Sequence, residues 1–329
     1  MMPPAAHSPS LFALTLHALL PLFLLIVLGY GLKRLRVLHT SQVPILNGLV
    51  LNVTLPALIF KGLATAPHLS PQMALPPLAA LGAEAGTLAL AYAVGAALRL
   101  PRPTRGALLL VGAFGNTGFL GYPLVLALLP REFPTAILID QFGMTIALYL
   151  GAVVVGAVFG ASGTNAVEMA KAMGRFGRSP LFLSLVAGSI ARLVPWPHAL
   201  THVPLASALG ETIMTCLGYL GQGTTPIVLL ALGVALRPGA ARAYAVPMGA
   251  ACVLKLLACP LLMWLLCRGM GLRGDGLTVS VLQSALPTAV MASVLCAEHD
   301  LSGDYAVGAV FVSTIVSALT VPLLLSVLR

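Results

Sequence analysis

The sequence predicts an all-α, polytopic membrane protein, and three observations carry that prediction. Only 8% of the 329 residues are Asp, Glu, Lys or Arg, against about 25% in a soluble domain. Ala, Val, Ile, Leu, Met, Phe, Trp, Tyr and Cys make up 59% of the chain, where soluble chains hold about 45 to 50% even with Gly included. The apolar residues are also grouped, in stretches of the roughly 20 residues that a helix needs to cross a hydrocarbon layer. The 33 Gly and 25 Pro fit this class, because membrane helices tolerate both where neighbouring helices re-satisfy the freed backbone groups.

About ten such segments are expected, at roughly 11–31, 43–64, 74–98, 106–129, 135–160, 177–194, 207–235, 244–267, 277–297 and 304–328. The stretch 1–10, with Pro3, Pro4 and Pro9, reads as a disordered tail. The first segment lacks a basic leader and a small-residue cleavage site, so it reads as a retained helix. Segments two and seven are kinked by Pro56 and Pro226, and segments three and eight carry Glu84 and Lys255 inside apolar sequence. Segment four is rich in Gly, and segment five holds Asp140 one to two turns in. The sixth is the shortest, cut by Arg192 and by Pro195, Trp196 and Pro197. Segment nine is interrupted by Pro287, and segment ten closes the chain.

Charge placement sets the expected orientation. Basic residues follow alternate segments: Lys33, Arg34 and Arg36, then Arg99, Arg102 and Arg105, then Lys171, Arg175 and Arg178, then Arg237 and Arg242. Loops so enriched face the cytoplasm, which puts the N-terminus outside and, with an even number of crossings, the C-terminus there too. The net charge of +9 is thereby spread over several loops, so it argues against nucleic acid as a partner and for a bilayer of the cell membrane. The five cysteines form no C-x-x-C pair and read as small packing residues, without a metal or redox role.

Laid against itself at an offset of 170 residues, the chain superposes its first five segments on its last five. Asn52 meets Gln222, Thr54 meets Thr224, Pro56 meets Pro226, Pro77 meets Pro247, and Glu84 falls one position from Lys255. Five crossings per repeat is an odd number, so the halves, 11–160 and 180–329, are expected upside down relative to each other, as in many secondary transporters. A polar, basic, cytoplasmic linker, 161–179, joins them.

The candidate site follows from the two interrupted segments. Segment four reads LLLVGAFGNTGFLGYPLVLALL, with Gly112, Gly115, Gly118 and Gly121 every third residue, Asn116 and Thr117 between them, and Pro123 near the end. Such a stripe serves close helix packing, but polar groups beside weakened helix are tolerated in the apolar layer chiefly where they line a cavity. Segment nine reads VLQSALPTAVMASVL, where Pro287 frees a carbonyl near Gln283, Ser284 and Thr288. At the 170 offset Asn116 and Thr117 overlie Leu286 and Pro287. Breaks at equivalent points of inverted halves point to a central binding site, where half-helix N-termini offer positive dipole ends to an anion.

Asn52, Thr54, Pro56 and Gln222, Thr225, Pro226, at closely matching places in the two repeats, are expected to flank that cavity. Glu84 is the candidate coupling acid and Lys255 a candidate source of positive charge, since a charge at a helix centre costs roughly 2.5 to 3.5 kcal/mol and calls for a reason. Asp140 and Lys61 read as interfacial, and Glu298, His299, Asp300 and Asp304 as a solvated loop. No H-E-x-x-H, paired-aspartate, G-x-S-x-G or Walker sequence is present. The chain therefore reads as a non-enzyme, without cofactor, driven by ion gradients.

These residues resemble the auxin efflux carrier family, whose bacterial members sit within the bile acid, arsenite and riboflavin transporter superfamily. The resemblance covers nearly the whole chain and rests on PLFLLIVLGYGLKRL at 21–35, LNGLVLNVTLPALIF at 46–60, GNTGFLGYPL at 115–124, SPLFLSLVAG at 179–188, ALGVALRP at 231–238 and SALPTAVMASVL at 284–295. It implies ten helices in two inverted repeats, with broken helices four and nine crossing at mid-membrane beside the substrate. Asn116 and Pro287 would sit at the crossing, with Thr117, Gly118, Ser284 and Thr288 next to them. It further implies an elevator-type motion of a transport part against a scaffold, and suggests a homodimer. Bacterial relatives are similar to carriers of malonate, malate and other small carboxylates. The long cytoplasmic loop of plant members is absent here, where the linker is only 161–179. The expectation is a secondary transporter of a small organic anion coupled to protons, the alternatives being a sodium-coupled symporter of larger anions and a non-transporting membrane sensor.

Overall fold

A computed structural model describes residues 11–66, 71–160, 174, 176–193, 204–236 and 244–327. The tail 1–10 and residues 161–173 and 175 of the linker 161–179 lie outside the described residues, and so do Lys171, Arg175, Arg237 and Arg242.

The described chain is helical, and its one β feature is an isolated bridge between Gly115 and Thr288. Helix α1 covers Leu11–Arg34, α2 Thr40–Ala64 and α3 Leu75–Ala97. Segment four is two half-helices, α4 (Arg102–Ala113) and α5 (Thr117–Leu128). Helix α6 runs Pro130–Phe159, α7 Pro180–Leu193, α8 Pro204–Ala235 and α9 Ala245–Gly269. Segment nine is again split, into α10 (Gly274–Ser284) and α11 (Val290–Glu298), and α12 spans Gly303–Val327. Among the described residues, α1, α2, α3, α6, α8, α9 and α12 are each long and apolar enough to cross a membrane.

The prolines expected to break helices behave differently from one another. Pro287 lies within the gap that separates α10 from α11. Pro56 and Pro123 do not end their helices: each follows a five-residue π-turn, Val50–Thr54 and Thr117–Gly121, and the chain continues as α-helix. A proline ring collides with the carbonyl four residues back, and the wider π-turn moves that carbonyl aside while keeping the helix going. Lys255 sits in a third such turn, Leu254–Ala258, ahead of Pro260. Pro226 is carried inside the uninterrupted α8.

Packing divides the helices into two groups. Helix α1 packs on α8, α7 on α2, and α2 on α8. In the second group α3 packs on α9, α4 and α6, α10 on α9, and α11 on α12. Between helices in lipid, dispersion contacts hold the structure more than water exclusion does. Leu22 and Ile26 of α1, Ile59 and Leu63 of α2 and Val228 and Leu229 of α8 form one such buried cluster. Leu20, Leu24, Val27 and Leu28 of α1 and Leu261 and Leu265 of α9 face outward.

The contacts follow the twofold relation of the segments, since α1 on α8 corresponds to α7 on α2. One pair departs from it. Helix α1 is packed against α12, whereas the equivalent α7 and α6 stand apart and both line a large cavity.

Candidate functional site

The two interruptions meet. The amide of Asn116 donates to the carbonyl of Pro287 at 2.7 Å, and the amide of Ala289 donates to the carbonyl of Phe114 at 3.0 Å. This short antiparallel pairing satisfies backbone groups that two broken helices would leave bare. Thr288 locks it: its hydroxyl donates to the Val111 carbonyl at 2.8 Å, and its amide donates to the Ser313 hydroxyl at 3.1 Å.

Lys255 seals the C-terminal end of α10. Its ammonium donates to the Ser284 carbonyl at 2.5 Å, placing a positive group on the negative end of that half-helix. The stem passes Gly115 so closely that a Cβ there would lie 2.8 Å from Lys255 Cε. A Cβ on Gly121 would likewise strike the Gln283 side-chain carbonyl. Two glycines of the stripe in segment four thus make room for the polar side chains of α9 and α10.

A vestibule of about 1170 Å³ reaches the crossing from one side. Its floor includes Gly115, Asn116, Gly118, Asp140 and Gln141. Its walls come from Leu51 and Leu55 of α2, Met144, Leu148 and Val153 of α6, Phe176 and Leu181 beside and on α7, and Met291 and Leu295 of α11. Arg178, Glu298 and His299 stand at its mouth. A second, small cavity of about 10 Å³ shares Gly115 with the vestibule, and its volume is close to the space one water needs. Glu84, Thr117, Lys255, Gln283 and Ser284 line it.

The polar atoms around these cavities are unusual. Asn116 Nδ2, Gln141 Oε1, Glu84 Oε2 and both amide atoms of Gln283 are buried without a hydrogen-bond partner. Leaving such a group unmatched costs roughly 1–3 kcal/mol, so their concentration around the crossing makes it the candidate site. Asn116 Oδ1 is used, accepting from the Phe119 amide at 3.2 Å as the cap of α5.

Asp140 corrects the sequence reading. It is 3% exposed, and its carboxylate accepts from the Thr117 hydroxyl, from the Tyr122 hydroxyl at 2.7 Å and from Gln141 Nε2 at 2.7 Å. It sits deep because α6 begins at Pro130 rather than near 135; ten residues of helix rise about 15 Å. The adjacent Gln141 and the prolines at 130 and 134 were the available signals. Glu298 and His299, placed in a solvated loop, form part of the vestibule mouth.

The structure brings together Asn116, Thr117, Gly118, Ser284, Pro287, Thr288, Lys255 and Glu84 around the crossing. It does not bring Asn52 or Gln222 there. Both are exposed on their helices, and Asn52 Nδ2 donates to the Gly48 carbonyl one turn back at 2.7 Å. Their neighbours Thr54 and Thr224 are the buried members of that register. Of the cysteines, Cys259, Cys267 and Cys296 are buried and Cys216 is exposed. No cluster of His, Cys, Asp and Glu able to hold a metal occurs among the described residues.

Comparison with known proteins agrees with this architecture. Residues 14–164 and 167–325 match the family model described as "Membrane transport protein". A Methanothermobacter thermautotrophicus protein named "Uncharacterized transporter" is 28% identical over 310 residues, covering 93% of this chain and 96% of its own length. A Rhizobium meliloti protein named "Putative malonate transporter" is 27% identical over 314 residues, covering 94% of each chain. With both halves and both broken segments inside the matched residues, the chain belongs to the membrane transport protein family, the auxin efflux carrier group that its motifs resemble.

Proposed function

We propose that this membrane transporter is a secondary carrier of a small organic anion, with a carboxylate such as malonate the first candidate, and that it works by alternating access. The observation that carries the reading is the crossing of two broken helices at the floor of a one-sided vestibule. The N-terminal end of α11, at Val290 and Met291, opens into that vestibule beside the unpartnered Asn116 Nδ2. Unpaired amides at a helix start favour an anion. The name of the Rhizobium meliloti relative supports the choice of malonate.

Charge balance supports coupling to a cation. The two cavities hold two buried carboxyl groups, Glu84 and Asp140, against one buried ammonium, Lys255. A substrate anion adds a further negative charge in a medium where charge is costly. A proton entering with the anion restores the balance, and Glu84 is the acid that takes it; a sodium ion would serve the same arithmetic.

The unequal interfaces support alternating access. The carrier as described is open between α6 and α7 and closed between α1 and α12. Exchanging the two arrangements opens the opposite side, with α3–α6 and α9–α12 moving as the transport part against α1, α2, α7 and α8. Arg178 at the vestibule mouth belongs to the basic set expected in the cytoplasm, so this reading makes the state inward-facing, with both termini outside the cell membrane.

The test is uptake into proteoliposomes of a labelled panel of mono- and dicarboxylates under an imposed pH gradient, with and without sodium. Uptake that follows the pH gradient and ignores sodium is expected. A second reading, a sodium symporter of larger amphipathic anions, draws on the apolar vestibule walls of Leu148, Phe176 and Leu295, and sodium-dependent uptake would favour it. Binding without flux would favour a sensor.

A further inference from the structure

Resting on the proton-coupled reading above, the geometry points to Asp140 as the proton port on the vestibule side, with the Thr117 hydroxyl handing the proton on to the small cavity that holds Glu84. Asp140 lies on the vestibule floor. Thr117 lines the small cavity and donates its hydroxyl to Asp140 Oδ1. One hydroxyl therefore joins the small cavity to a carboxylate on the vestibule floor, beside Gly115, which lines both.

The donors around Asp140 differ in what they can do. Gln141 Nε2 can only donate. Tyr122 OH also bonds Asp140 and is fully buried in the apolar cluster with Leu120, Leu124 and Phe133. Thr117 alone joins a hydroxyl, which both donates and accepts, to a second polar space. In that space Glu84 Oε2 and the Gln283 amide are buried and unpartnered, and the volume suits about one water with several polar neighbours.

The transfer balances. A proton from vestibule water settles on Asp140 Oδ1 and passes to Thr117 Oγ1. The hydroxyl, which in the described arrangement donates to Oδ1, turns its own proton toward water in the small cavity as it accepts from Asp140, and that water releases one to Glu84. The net change is a carboxylic acid at Asp140 and a carboxylate at Glu84 becoming the reverse. The other charged or titratable groups facing this path are Tyr122 from α5, Tyr149 from α6, Lys255 and Cys259 from α9, and Arg178, Glu298 and His299 at the mouth. The linings contributed by α2, α4 and α10 add no further ones.

The test compares wild type, Thr117→Val, Thr117→Ser and Asp140→Asn in proteoliposomes, with labelled malonate as the probe. Two rates are read: uptake driven by a pH gradient, and malonate–malonate exchange at equal pH, which needs no net proton transfer. The ratio of driven uptake to exchange is expected to fall at least about tenfold in Thr117→Val and Asp140→Asn, and to recover in Thr117→Ser. An unchanged ratio in Thr117→Val overturns the relay, because a purely structural hydroxyl lowers both rates together.

A second readout keeps the relay testable if malonate is not carried. Infrared carboxyl bands, assigned with Glu84→Gln and Asp140→Asn, are followed after a pH change on the vestibule face alone. Wild type is expected to titrate both bands, and Thr117→Val only the Asp140 band. Titration of both in Thr117→Val, or of neither in wild type, overturns the relay. Wild-type uptake that ignores the pH gradient while both bands still titrate would instead defeat the coupling reading.

Discussion

The Asn116 amide reaches the Pro287 carbonyl at 2.7 Å, so the break in one half of the molecule is capped by the break in the other. That bond is backbone to backbone and survives side-chain truncation. Asn116→Ala removes the unpartnered Nδ2 and the cap on the Phe119 amide. The expected cost in stability is about 1 kcal/mol, with transport lost far beyond that. Thermal unfolding in detergent beside carboxylate uptake checks the contrast; equal retention of both would remove Asn116 from the binding site.

Thr288 is buried with its hydroxyl committed to Val111 and its amide to Ser313. Thr288→Val keeps the shape and orphans the Val111 carbonyl, so a loss of about 1–3 kcal/mol is expected. If the residue locks the crossing, maximal transport falls with stability while the substrate KM holds. A raised KM at unchanged stability would make it a substrate ligand.

Gly115 and Gly121 leave space for Lys255 and Gln283. Gly115→Ala pushes a methyl group into the Lys255 stem, and overpacking of this kind costs typically about 1–3 kcal/mol. Gly174→Ala, an exposed position with nothing within 4 Å of the added carbon, provides the comparison and should leave the unfolding temperature unchanged.

Lys255 and Glu84 share the small cavity. Lys255→Met removes a charge that balances Glu84 and a donor to the Ser284 carbonyl. Each single change is expected to destabilise more than the double Lys255→Met, Glu84→Gln allows for by simple addition. A coupling of roughly 0.5–3 kcal/mol in the unfolding cycle is the expected result; strict additivity would show that the two groups do not sense each other.

Much of this architecture is visible in the sequence because lipid imposes length and polarity on every crossing. The breaks beside Asn116 and Pro287 fall where the repeat offset puts them, since a missing amide donor or a run of Gly weakens a helix locally. What the sequence hides depends on neighbours. Pro56 and Pro123 are absorbed by π-turns, and Pro226 stays within continuous helix. Asn52 and Gln222 share the register of the buried Thr54 and Thr224 yet face outward, because helix rotation is set by packing. The depth of Asp140 follows from a helix start at Pro130, which hydropathy alone misplaces by one turn.

The central claim is that the crossing at Asn116 and Pro287 is the site of gradient-driven anion transport. Labelled carboxylate uptake into proteoliposomes under an imposed pH gradient, comparing wild type with the double variant Asn116→Ala, Thr288→Ala, tests it most directly. The account predicts uptake that follows the gradient in wild type and is abolished in the double variant, which still unfolds cooperatively. Undiminished uptake by that folded variant would contradict it.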